Sequence, residues 1–152
     1  MTTTLETNDI AVRLKTQFGE GIKPSAGYLE VTPALLPRVA DYFKNTPGLA
    51  FDFLDMITAA DYPDRFELEY RLLSLQNNTL VRLKVKCAKS QPVVPSLANL
   101  WVGANFQERE IYDLFGIEFS GHPDLRRIVL WEGYQGHPLR KDFKDRVCGA
   151  GD

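Results

Sequence analysis

The sequence predicts an α+β domain: an antiparallel sheet with helices packed on it, followed by an extended C-terminal arm. Two period-two runs carry the sheet. In RFELEYRLLSL, Phe66, Leu68, Tyr70 and Leu72 alternate with Glu67, Glu69 and Arg71. In LVRLKVKC, Val81, Leu83, Val85 and Cys87 alternate with Arg82, Lys84 and Lys86. Period two gives each strand one buried and one wet face. Helical spacing and capping signals before and after this pair supply the helices. After Ile117, Pro and Gly recur around a single apolar run, Ile128 to Trp131. The expected division is a core domain over 1–119 and an extended arm over 120–152.

The elements follow in order. Ile10, Leu14 and Phe18 recur at i, i+4 and i+8, so Asn8 to Phe18 is expected to be an amphipathic helix ended by Gly19 and Gly21. Tyr28 to Val31 is a brief strand. Thr32 and Pro33 read as N-cap and first residue of a helix reaching about Asn45, where Asn45-Thr46-Pro47-Gly48 stops it. Pro37 clashes with the preceding turn, so the first turn is expected to be separate or distorted. The middle of Leu49 to Asp61 reads as a strand. Asn77-Asn78 suits a two-residue hairpin turn, because Asn tolerates positive φ. That turn sets Tyr70 opposite Val85, Glu69 opposite Lys86 and Arg71 opposite Lys84. Ser96 is expected to cap a short helix through Trp101. Asn105 and Glu108 form a variant capping box for a helix running to Phe115, with Gly116 as its left-handed C′ residue.

Composition narrows the function. The 152 residues allow one domain with one core, and 44% apolar with 25% charged content is ordinary for a soluble globular protein. A net charge of -2 gives no strong field toward nucleic acid or anionic lipid. Cys87 and Cys148 form no CxxC pair and are too few for a disulfide scaffold, which fits a reducing compartment. The opening MTTTLETNDIAVRLKTQF lacks the basic and apolar regions of a secretory signal. No apolar run approaches the roughly 20 residues that span a bilayer, so membrane association is expected only through a partner.

The densest chemistry lies in EREIYDLFGIEFSGHPDLRR, Glu108 to Arg127. On a helix Glu108 and Glu110 diverge by about 200°, so they cannot form a shared carboxylate pair. Arg109 and Asp113 stand in i, i+4 register and are expected to pair. A charge-laced helix with a cap therefore outweighs acid–base catalysis. His122 and His137 each lie in a Gly-His-Pro triplet (Gly121 to Pro123, Gly136 to Pro138) without further ligands at metal spacing. Each imidazole is expected to hold the backbone of a turn. Arg126, Arg127, Arg140, Lys141, Lys144 and Arg146 fall in a segment without the Gly-rich helix start that phosphate prefers. The strand aromatics lie on the core face, which disfavours RNA. Arginines on an extended arm suit bidentate pairing with carboxylates of a partner protein. A free-standing enzyme using His122 and Glu110 is the competing class, and it would be active alone.

These residues resemble a known family. Glu108-Arg109-Glu110-Ile111-Tyr112-Asp113-Leu114-Phe115-Gly116-Ile117, continuing through Glu118-Phe119-Ser120-Gly121-His122-Pro123-Asp124-Leu125-Arg126-Arg127-Ile128, is similar to the signature of the 30 kDa subunit family of respiratory complex I, the NADH–quinone oxidoreductase. Gly136 to Phe143 resembles that family's C-terminal element, although Lys144 stands where members often have proline. The resemblance implies a cofactor-free subunit of the peripheral arm, on the cytoplasmic face of the membrane. It would dock on the quinone-site subunit near iron–sulfur subunits, with Glu108, Arg109, Glu110, Tyr112, Asp113, Gly116, Gly121, His122, Pro123, Arg126, Arg127, His137, Arg140 and Lys141 as the gripping surface. NADH, FMN, iron–sulfur clusters and quinone would belong to the wider complex. Two distant cysteines agree, since a cluster needs about four thiolates. The equivalent subunit of a membrane-bound hydrogenase, or of a quinone oxidoreductase fed by ferredoxin or flavin, is the alternative.

Overall fold

The computed structural model describes residues 1–144. Cys148, Arg146 and the end of the arm lie outside the described residues. The order is β1 (Thr3–Thr4), α1 (Thr7–Phe18), β2 (Ile22–Ser25), β3 (Tyr28–Val31), a 3-10 turn (Pro33–Leu35), α2 (Leu36–Asn45), β4 (Phe53–Asp61), β5 (Arg65–Ser74), β6 (Thr79–Ala88), β7 (Val93–Pro95), α3 (Val102–Phe115) and β8 (Glu118–Ser120). The main sheet runs β2-β3-β6-β5-β4, with β1 also on β6. It is mostly antiparallel, and β3 and β1 lie parallel to β6. A second, two-stranded sheet pairs β7 with β8 in parallel. The chain is therefore α+β, as its periodicities predict.

The alternation in β5 and β6 places Phe66, Leu68, Tyr70, Leu72, Val81, Leu83 and Val85 in one core. Onto it pack Ile10 and Leu14 of α1 and Leu36, Val39 and Phe43 of α2. Each large side chain buried contributes roughly 1.5–3 kcal/mol, so this face dominates the sheet's energetics. Pro37 does separate the first turn, which becomes the 3-10 segment ahead of α2. Thr32 precedes it in extended geometry but makes no side-chain cap bond. Ser96 starts no helix: the chain runs from β7 through turns to Trp101.

The hairpin register differs from the two-residue expectation. Tyr70 faces Leu83, Glu69 faces Lys84, Arg71 faces Arg82, and Ser74 faces Thr79. Residues 75–78 make a longer loop. A type I′ turn needs two left-handed residues, and of the two asparagines only Asn78 has positive φ, at 51°. The Asn77 amide instead donates to the carbonyls of Gly48 and Leu49, both at 3.0 Å. Because side chains repeat every two residues, this two-residue shift keeps every apolar residue on its expected face. It does re-pair the charges. Arg82 reaches diagonally to Glu69 with two bonds of 2.7 and 2.9 Å, and Lys86 turns to Glu30 on β3 at 3.1 Å.

The free edge of β4 carries a bulge between Leu54 and Met56. Gln107 of α3 covers this edge, its Oε1 accepting the Ile57 N–H at 2.6 Å. This occupies the edge at Ile57, and covering an edge strand opposes its pairing with another strand. The contact also fixes α3, and with it the candidate site, beside the sheet.

Candidate functional site

The site is α3 together with the chain that follows it. The helix begins a turn earlier than the Asn105 cap requires, after extended Trp101, and no side chain caps it. Glu108 consequently does not reach back to Asn105. It lies three and four residues from Ile111 and Ala104 on the buried face, and its side chain is fully buried. There Oε1 accepts the Leu97 N–H at 2.7 Å and Oε2 accepts the Ser96 hydroxyl at 2.6 Å. Glu108 thus holds the chain leaving β7. Burial pushes its pKa up to about 7, against the opposing pull of the Ser96 and Leu97 bonds.

His122 lies beside it, its buried Nε2 3.9 Å from Glu108 Oε2. Its Nδ1 accepts the Asp124 N–H at 3.0 Å, so Nε2 carries the proton and donates to the Asn105 carbonyl at 3.1 Å. The imidazole holds a turn, as expected, and ties the start of the arm to α3.

The raised Glu108 pKa sets a pH dependence. The stability contributed by the neutral acid is complete below the unfolded value near 4.5 and is lost as pH rises through about 7. Glu108→Gln is expected to remove this loss and to stabilise the chain by roughly 1–3 kcal/mol at pH 8. Thermal melts of both proteins between pH 5 and pH 8 check it. Parallel slopes, or a variant weaker at pH 8, would contradict the assignment.

The other end of α3 explains the rest of the signature. Gly116 is the left-handed C′ residue, with φ 74°, and its N–H bonds the Tyr112 carbonyl at 2.9 Å. A Cβ there would stand 2.7 Å from the His137 ring, so glycine also admits that ring. The last carbonyls of a helix have no partner inside it. Here the arm supplies them. His137 Nδ1 donates to the Asp113 carbonyl at 2.9 Å, the Leu139 N–H to Leu114 at 3.0 Å, and Arg140 Nε to Phe115 at 2.6 Å. The arm is the C-cap of α3, and its cations sit where the helix dipole favours positive charge.

Asp113 fastens the arm from inside. Its Oδ2 accepts three successive N–H groups, from Ile128 at 3.1 Å and from Val129 and Leu130 at 2.8 Å. Its Oδ1 accepts from Arg127 Nη1 at 2.7 Å, and Arg127 Nη2 reaches the Gly136 carbonyl at 3.0 Å. The expected pair between Arg109 and Asp113 does not form, because both carboxylate oxygens are occupied. Arg109 donates to the carbonyls of Arg126 and Arg127 instead, at 3.1 and 3.3 Å. Burial alone would raise the Asp113 pKa; the N–H groups of Leu130 and Val129, the Arg127 guanidinium and the Ile128 N–H outweigh it and hold it low. Farther along, Asp61 at the end of β4 accepts the Lys141 N–H at 2.8 Å and pairs with Lys89.

Of the residues singled out from sequence, Arg109, Asp113, Gly116, Arg127, His137 and Arg140 therefore converge on the junction of α3 and arm. Lys141 joins through its main chain. Glu108 and His122 sit deeper, under the other half of the helix. Tyr112 is half-buried against the His137 ring, 6.5 Å between centroids. Glu110, Gly121 and Pro123 are exposed. Arg126 is exposed and bonds Asp124 at 2.9 Å. Ser96, expected only to cap a helix, and Asp61 were not among the expected site residues, and no spacing marks either as a partner of the site. Among the described residues no three of His, Cys, Asp and Glu converge as a metal site. Burial pushes the Cys87 thiol up to about 11, which suits a packing residue.

This geometry defines a class: a small α+β scaffold whose densest charged stretch straps its own C-terminal arm in place. Residues 29–146 match the family described as "Respiratory-chain NADH dehydrogenase, 30 Kd subunit", and the chain belongs to that family. It is similar to a NADH-quinone oxidoreductase subunit of Roseiflexus sp. (strain RS-1), 40% identical over 146 residues, covering 91% of this chain and 84% of that one. It is 47% identical over 118 residues to the corresponding NADH-quinone oxidoreductase subunit of Azorhizobium caulinodans, covering 76% of this chain and 56% of the relative's length. The solved trypsin-resistant fragment (1-134) of Nqo5 superposes with a TM-score of 0.62 at 30% identity, covering 79% of this chain and all, 100%, of the fragment. A chain of the archaeal membrane-bound sulfane sulfur reductase shares the fold, with a TM-score of 0.75 at 20% identity over 93% of this chain and 88% of that one.

Proposed function

We propose that this chain is a cofactor-free peripheral-arm subunit of a complex I-type NADH–quinone oxidoreductase. It docks on the quinone-site subunit, beside iron–sulfur subunits, and supports assembly of the proton-translocating complex. The reading rests on family membership and on one observation: the signature residues organise an arm that, over its described residues beyond β8, pairs with no strand. Residues 1–119 serve as the scaffold and 120–152 as the docking arm. NADH, FMN, iron–sulfur clusters and quinone belong to other chains. Its place is peripheral, on the cytoplasmic face of the membrane and held by partners; no helix among the described residues is long and apolar enough to cross a membrane.

Deleting this chain from its cell and restoring it in full provides the test. Deletion is expected to remove the mature particle from native gels together with NADH–quinone activity, and the full chain is expected to restore both. Full yield of the mature particle without this chain would overturn the docking role.

A further inference from the structure

We propose that His122 is a proton-operated latch at the root of the arm: a proton taken up at Nδ1 expels the Asp124 N–H and opens the turn 121–124, while the far end of the arm stays capped on α3. This stands on the chain's own geometry and does not depend on the docking role. The two histidines differ in polarity. At His122, Nδ1 accepts the Asp124 N–H at 3.0 Å and Nε2 donates to the Asn105 carbonyl at 3.1 Å. One ring nitrogen accepts and the other donates, and only the neutral imidazole fills both roles. At His137 the arrangement is reversed: Nδ1 donates to the Asp113 carbonyl at 2.9 Å. A proton added at its Nε2 leaves that bond in place and puts positive charge where the end of α3 favours it.

The turn is placed to open by itself. Gly121 has φ 80° and open space where a side chain would stand, so it is free to pivot. Besides the Asp124 bond, the turn is closed by the His122 N–H, which donates to the Phe119 carbonyl at a longer 3.2 Å. Beyond the turn, Asp113 holds residues 127–130 through separate bonds, so opening at 121–124 leaves that strap intact. What the opening removes is cover. The His122 side chain is fully buried, 3.9 Å from Glu108 Oε2, and its departure lets water reach that carboxyl group.

No neighbouring charge opposes the opening. From α3 the ring faces Glu108, which is itself neutral below about 7 and then offers no negative charge to an imidazolium. From the end of β7 comes the Ser96 hydroxyl, already given to Glu108. Tyr70 of β5, near Glu108, and Cys87 of β6 are kept neutral by burial. On the turn's own segment Asp124 and Arg126 pair with each other at 2.9 Å, both exposed. As pH falls, Glu108 and His122 both gain protons, but only the proton on His122 takes the place of a hydrogen-bond donor. The closed turn therefore gains stability as pH rises and loses it as pH falls. Histidine changes charge between about pH 5 and 8, which sets the range of the latch.

The test follows the full chain by NMR between about pH 8 and pH 5. It reads the protonation of each imidazole from its nitrogen shifts, and the hydrogen-exchange protection of the Asp124 and Leu139 amides against the unstructured rate at each pH. A closed turn that excludes the proton loses about tenfold in population per pH unit once the open imidazole titrates. Asp124 protection is therefore expected to fall at least about tenfold over the range, in step with proton uptake at His122 Nδ1. Leu139, whose N–H bonds Leu114 beside His137, is expected to keep its protection within about threefold. In His122→Asn, Oδ1 accepts the N–H two residues on, as in an Asx-turn, and nothing titrates, so Asp124 is expected to stay protected at both ends of the range. Constant Asp124 protection in the wild type would overturn the proposal, as would a loss while His122 stays neutral. An equal loss in His122→Asn would assign the opening to another group and end the proposal. Leu139 exchanging together with Asp124 would mean that the whole arm comes away, and no local latch would remain. The wild-type readings decide even where the Asn variant fails to fold.

Discussion

Asp113→Ala is expected to destabilise the chain by about 3–5 kcal/mol, the usual loss when one side of a buried ion pair is removed. The carboxylate is fully buried and accepts from four groups at once, so its loss leaves Arg127 and three N–H groups without their acceptor. The damage should be local first. The arm should become cleavable by protease around residues 127–130 under conditions where the sheet stays protected, because those residues lose the acceptor that holds them. Urea denaturation gives the magnitude, and limited proteolysis gives the place. Glu110→Ala, on the exposed side of the same helix, should stay within about 0.5 kcal/mol of wild type. Acid should reproduce the effect. The Asp113 pKa is held below its ordinary 3.8, so its stabilisation is present above that value and is lost as pH falls through the lower folded one. A loss at Asp113 no larger than at Glu110 would remove the strap from the account.

Tyr70→Ala is expected to cost about 3–5 kcal/mol, as large-to-small aromatic changes in cores do. Tyr70 is among the largest fully buried side chains and stands at the centre of the sheet, opposite Leu83 and Ile57. Its hydroxyl finds no protein partner. Burial, then the nearby charges of Glu108 and Cys87, raise its pKa well above the ordinary value, so it remains the neutral phenol. Removing only the hydroxyl should therefore matter little. Tyr70→Phe is expected to lie within about 1 kcal/mol of wild type, since no hydrogen bond to the protein is lost. Chemical denaturation of the two variants separates ring from hydroxyl. A Phe variant as weak as the Ala variant would mean that the hydroxyl, and not the ring, carries the energy.

Features decided by a few neighbouring residues were legible in the sequence. The alternation of β5 and β6, the apolar stripe of α1, the turn detached by Pro37 and the left-handed Gly116 all depend on local geometry. The hairpin register was not legible, because Asn77 is claimed by carbonyls almost thirty positions earlier, at Gly48 and Leu49. The burial of Glu108 was hidden for a similar reason. A glutamate among charged neighbours reads as wet, and only the approach of Ser96 and Leu97 supplies the donors that make its burial tolerable. His122 was readable as a turn holder from its Gly-His-Pro setting, whereas His137 caps the last turn of α3 through the Asp113 carbonyl. The targets of the arginines were not readable. Whether a guanidinium meets a partner's carboxylate or its own chain's carbonyl depends on where α3 ends in space, and sequence spacing does not contain that.

Strand β6 receives β5 on one side and both β1 and β3 on the other. The chain therefore cannot assemble in the order in which a ribosome makes it. Residues through Val31 must wait for Thr79 to Ala88 before the parallel pairings of Thr3 with Thr79 and Leu29 with Leu83 can form. At ~5–20 residues per second that wait lasts several seconds. Throughout it the apolar faces of α1, β3 and α2 have no sheet to cover them. The hairpin of β5 and β6, closed by a short loop, can zip as soon as it emerges, and the earlier segments then add to a finished edge. Nascent chains stalled before Ala88 are the form of this protein with most need of a chaperone.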